Sequence, residues 1–60
     1  MVIRCNKIKA GFYEAYLEDN GQKVIGSAVY DITEAGAYKS LAANCRYWEG
    51  QALEAAIRVM

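Results

Sequence analysis

Apolar residues alternate with polar ones along the first half of the chain and recur every three or four positions along the second. That change of period, from two to about 3.6, predicts strands followed by helix. Val2 to Lys9 (VIRCNKIK) reads as a first strand, with Ile3 and Cys5 on one face and Arg4 and Asn6 on the other. Ala10-Gly11 turns the chain. Phe12 to Asp19 reads as a second strand. Tyr13, Ala15 and Leu17 share one face; Phe12, Glu14, Tyr16 and Glu18 share the other, and the charges assign that second set to solvent. Asn20-Gly21 predicts a type I′ hairpin, because both central residues need φ > 0, which Asn tolerates and Gly adopts freely. The other arm of the hairpin is Gln22 to Tyr30. Its alternation puts Val24, Ala28 and Tyr30 on one face and Lys23, Ile25, Ser27 and Val29 on the other. Gly26 interrupts it, and a bulge there resets the alternation.

Asp31-Ile32-Thr33-Glu34 predicts a helix start, with Asp31 as N-cap and Glu34 reaching back from N3. Tyr38, Leu41, Cys45, Trp48, Ala52, Ala56 and Val59 follow at spacings of 3, 4, 3, 4, 4 and 3, one apolar stripe. Gly36, Lys39, Ala43, Arg46, Gly50 and Glu54 fall opposite, where the glycines bury nothing. The pattern predicts one helix over about 32–59, or a helix pair hinged at Gly50. The expected fold is α+β: a three-stranded antiparallel sheet, order 1-2-3, packed against a long C-terminal helix in a single domain of residues 1–60. About 28 residues of helix span ~42 Å, and strands of eight span ~27 Å. The C-terminal turns then overhang the sheet. They carry a second apolar set, Leu53, Ile57 and Met60, beside the stripe that includes Trp48. These four residues are the expected homodimer interface, unless residues 51–60 fold back at Gly50 over the core.

Length sharpens that expectation. Sixty residues bury only about 60% of their unfolded surface. Domains this small are usually held by a disulfide, a metal or a partner. No His is present, and Cys5 and Cys45 stand forty residues apart, so no metal or other cofactor is expected. No signal peptide precedes the first strand, so both cysteines read as reduced and the protein as cytoplasmic. Self-association is the remaining staple. Seven basic residues balance seven acidic ones, which gives no long-range pull toward nucleic acid or anionic lipid. No apolar run approaches a membrane span.

Catalysis is not expected. Without His, the commonest general base and the Ser–His and Cys–His nucleophiles are missing. Gly21, Gly26 and Gly36 are isolated and form no phosphate loop. Glu14 and Glu18 are four positions apart on a strand, ~13 Å, too far for a glycosidase pair. Cys45 lies on the apolar stripe and reads as core. Binding is the better fit. Tyr and Trp supply large contact area at low entropic cost, and Phe12, Tyr16 and Tyr47 fall off the predicted core faces. With Glu14 and Glu18 they form the candidate partner-binding set. The alternative is a DNA-binding module that uses the sheet face, with Arg4, Lys7, Lys9 and Lys23 as phosphate contacts.

Gly11, Tyr13, Ala15, Tyr16 and Asp19 within GFYEAYLED resemble the opening of HicB-type antitoxin domains. In that family a three-stranded sheet precedes a helix introduced by Thr and Glu, similar to Thr33-Glu34-Ala35. Such domains bind a toxin protein and self-associate, and the resemblance implies a small regulator or inhibitor here. It covers Gly11 to about Leu41, with Asn20-Gly21 in place of the family's proline-containing loop. Gly11, Ala15, Leu17, Asp19, Gly21 and Gly26, with Ala35-Gly36-Ala37-Tyr38, are similar to the AP2-type fold of three strands and a helix. That family reads DNA with Arg and Trp on its sheet, where this chain has Glu14, Tyr16 and Glu18. In size and composition the chain is also similar to small phage-encoded inhibitors of host defence.

Overall fold

The computed structural model describes residues 1–60. β1 (Val2–Lys9) and β2 (Phe12–Asp19) pair antiparallel, and β2 continues into β3 (Gln22–Lys23) through the Asn20-Gly21 turn. Asn20 has φ 51° and Gly21 φ 80°, the two positive angles a type I′ turn demands. The strand order is β1-β2-β3, as the hydrophobic pattern predicts. The third arm is not one strand. It leaves β2 after Lys23 and returns as β4 (Val29–Asp31), which pairs with β2 at Ala15↔Val29 and Glu14↔Tyr30.

The detour has a clear cause. Gly26 sits at φ 83°, outside strand geometry. The gap in the ladder is closed by Ser27, which is buried. Its hydroxyl accepts from the Leu17 N–H at 3.1 Å and donates to the Val24 carbonyl at 2.7 Å. The Val24 N–H in turn donates to the Leu17 carbonyl at 2.8 Å. One side chain thus satisfies backbone groups of the central strand that the missing strand segment leaves open. The detour also resets the alternation. Val29 packs inward and Tyr30 turns outward, the reverse of the simple count.

The fold is α+β as expected, but its helical half is not one helix and is not hinged at Gly50. α1 spans Glu34–Asn44, a single 3₁₀ turn follows over Arg46–Trp48, and α2 spans Glu49–Arg58. The chain leaves the helix at Cys45 (φ −130°, ψ 83°), whose N–H still donates to the Leu41 carbonyl. A ~42 Å rod would outrun a molecule whose longest dimension is 27 Å. Folding back instead lays Ala52 and Ala56 of α2 against α1. The stripe keeps its spacing through the break because the 3₁₀ turn advances by three, so Cys45 and Trp48 both still face the core. Gly50 falls in the first turn of α2.

The start of α1 also differs from expectation. Thr33 is the N-cap, and its hydroxyl accepts from the Gly36 N–H at 2.9 Å. Asp31 instead accepts from the Ile32 N–H at 2.6 Å. Gly36 is not an idle outward residue. A Cβ there would lie 2.7 Å from the Asp31 carboxylate and 2.8 Å from the Thr33 hydroxyl, so the cap requires glycine.

The core lies between the inner face of the sheet and α1. Ala15, Leu17, Ala37, Leu41, Ala42 and Ala52 are buried together. Ile3, Cys5, Tyr13, Val24, Val29, Cys45 and Trp48 border them. Leu41 is the single large side chain that is fully buried. Cys5 and Cys45 are both free thiols. Burial, and then the nearby Glu34 carboxylate, push the Cys5 thiol up to about 11, so it stays protonated and inert at neutral pH. No helix is long and apolar enough to cross a membrane.

Candidate functional site

No helix packs on the outer face of the sheet; α1 covers only the inner one. The register puts Arg4, Asn6 and Lys9 of β1 on that face, opposite Tyr16, Glu14 and Phe12 of β2. Lys23 pairs opposite Glu18, and Tyr30 opposite Glu14. The face is therefore an ordered array of aromatic and charged side chains.

Glu14 stands at its centre and is only 8% exposed, not the solvated charge that alternation alone suggests. Lys23 Nζ donates to its carboxylate at 2.7 Å and Tyr30 Oη donates at 3.0 Å. The Lys23 bond, reinforced by Tyr30 and opposed by burial, holds the Glu14 carboxyl below its ordinary 4.5. The same bond raises Lys23, and the Glu14 bond raises the Tyr30 phenol. A buried carboxylate with two donors is thereby kept ionised.

The aromatics are tied to this network. Phe12 and Tyr30 stack at 5.5 Å between centroids, 5° from parallel. Lys23 Nζ also lies 4.8 Å from the Tyr16 ring centroid, and Lys9 Nζ 5.9 Å from that of Phe12. Asn6 donates to the Tyr16 hydroxyl at 3.2 Å, and Arg4 pairs with Glu18 at 3.1 Å. Each aromatic ring is thus fixed by a neighbour while part of its surface stays open.

Of the predicted partner-binding residues, the structure brings Phe12, Glu14, Tyr16 and Glu18 together. It does not bring Tyr47 to them. Tyr47 lies in the 3₁₀ turn between the helices, 92% exposed, with an edge contact only to Trp48. Of the cations considered as phosphate contacts, Arg4 and Lys23 are held in ion pairs on this face. Lys9 lies over Phe12, and Lys7 pairs opposite Tyr13 on the other face. Sequence reading missed Tyr30, since strict alternation turned it inward. The signal that marks it is Gly26.

The predicted dimer set divides. Trp48 packs against the core. Leu53 and Ile57 on α2 and Met60 just past its end remain 42%, 68% and 73% exposed. The overhang argument does not hold for them, because α2 folds back; they are uncovered for a different reason, that α1 takes only the Ala52 and Ala56 face of α2.

No family model matches the chain, and neither curated proteins nor solved structures contain a significant match to it.

Proposed function

We propose that the chain is a non-catalytic protein-binding module, a small cytoplasmic regulator or inhibitor of the antitoxin or phage type, whose binding site is the outer face of the sheet. The observation that carries this reading is the Phe12–Tyr30 stack and the Glu14–Lys23–Tyr16 network beside it. Aromatic side chains held in place before binding lose little entropy on association, which is how hot spots are built. Free thiols suit a reducing compartment. Affinity capture from the native host, followed by hydrogen exchange on the recovered complex, tests it. Protection over 12–18 and 29–31 supports the reading; protection confined to α2 contradicts it.

The proposed module is a homodimer through Leu53 and Ile57 of α2 and the following Met60, related by a two-fold axis. Burying such side chains contributes about 1.5–3 kcal/mol each. Leu53→Glu with Ile57→Glu should halve the sedimenting mass and remove any concentration dependence of the melting temperature. A wild-type chain that sediments as a monomer at high micromolar concentration rules the dimer out and leaves the sheet face as the binding surface.

A further inference from the structure

The sheet has two unlike edges. At one, β3 has two residues and β4 three, separated by the Gly26 excursion, so no continuous edge exists there. At the other, β1 runs eight residues, contains no proline and pairs on one side only. Its register with β2 is unbroken from Val2 to Lys7 and shifts only before Lys9. The backbone groups along its outer side have no strand partner.

Beside that edge lies the cleft of the molecule, about 620 Å³. Val2 and Ile3 line it from β1, Tyr38 from α1, Ala55 and the Glu54–Arg58 ion pair from α2, and Val59 from just past the end of α2. It exists because α1 packs beneath β2 and β4 and reaches β1 only marginally, while α2 packs against α1. The space between β1 and α2 is left unfilled. A strand added to β1 would extend the sheet over this space and drop alternate side chains into it.

Charge selects the occupant. β1 carries Arg4, Lys7 and Lys9 and no acidic residue. Arg4 is paired with Glu18, but neither Lys7 nor Lys9 belongs to an ion pair. Lys7 is on the inner face with Tyr13 and Lys9 on the outer face with Phe12, so an added strand meets a free cation on either side. A second copy of β1 would bring the same three cations and no acid, which opposes pairing. We infer that the free edge of β1 takes up an extended, acidic segment of another protein by strand addition, with its inward side chains in the cleft between β1 and α2. This surface is the edge of the sheet, and of its two free cations it shares only Lys9 with the outer face.

The probe is a capped peptide of alternating valine and glutamate, about as long as β1, titrated into the isotope-labelled full chain. The control peptide has lysine in place of glutamate. The acidic peptide should shift the backbone amide resonances of 2–9 and slow the exchange of alternate ones, and the lysine peptide should not. Lys7→Glu, exposed and outside both the core and the outer face, should weaken the acidic peptide severalfold, and adding Lys9→Glu, which also removes the cation over Phe12, should bring the loss to the order of tenfold. Four results would overturn the inference: no shift at millimolar peptide, equal response to both peptides, or shifts confined to 12–18 and 30; the fourth is β1 amides already protected in a dimeric free protein, which would assign the edge to a second copy.

Discussion

The two faces of β2 are built from opposite materials. Inward it presents Ala15 and Leu17 to Ala37, Leu41 and Ala42, so that the core is mostly alanine methyl groups around two leucines. Outward it presents Phe12, Glu14 and Tyr16, joined by Tyr30 and Lys23. In a domain whose total stability is roughly 3–9 kcal/mol by size, the largest side chains would be expected inside. Here Tyr13 and Trp48 only border the core, and Phe12, Tyr16 and Tyr30 sit on the uncovered side, held by one another and by a half-hidden ion pair. The inner face packs against α1; the outer face carries aromatic rings that no helix covers.

That contrast predicts unequal costs. The largest should come from Leu41→Ala, which opens a cavity in the only place where a large side chain is fully buried. A loss of about 2–5 kcal/mol in urea unfolding is expected, enough to leave much of the chain unfolded. A loss under about 1 kcal/mol would mean that the alanine-lined core does not carry the fold.

Next is the ladder gap. Ser27→Ala removes the acceptor for the Leu17 N–H in a buried position. The expected cost is about 1–3 kcal/mol, the penalty for an unsatisfied buried donor. Rapid amide exchange at Leu17 in the variant would locate the damage, and an unchanged unfolding midpoint would show that water replaces the hydroxyl.

A smaller effect belongs to Glu14 and depends on pH. Its carboxyl lies below the ordinary 4.5 when folded. Such a group stabilises the fold above its unfolded pKa, and the contribution is lost as pH falls through the folded value. Wild-type stability should therefore drop as pH goes below about 4.5, while Glu14→Gln, less stable at neutral pH, should show a flatter acid limb. Parallel profiles for the two proteins would dissociate the outer network from stability.

Much of this architecture is legible in the chain. Alternation finds β1 and β2, Asn20-Gly21 finds the hairpin, and the apolar stripe finds the inward side of the helical half. The break at Cys45 is not legible, because a 3₁₀ turn keeps inward residues three apart and the stripe is therefore blind to it. The outward turn of Tyr30 is hidden by the two-residue period, and only Gly26 hints at it. The roles of Ser27 and Glu14 depend on partners ten and nine positions away, which no local pattern contains. On the candidate site, Phe12, Tyr16 and Glu18 were readable from strand parity, and the separation of Tyr47 followed only from the fold of the helices.

In the proposed function the outer aromatics serve association more than folding. Phe12→Ala with Tyr16→Ala tests it most directly, by affinity capture from the native host against wild type at equal folded protein. Losing the Phe12–Tyr30 stack should cost only about 0.5–1.5 kcal/mol beyond the area uncovered, so the variant should remain folded. The protein recovered by wild type should be missing from the variant's capture. Undiminished recovery of the same partner by a folded double variant would contradict it.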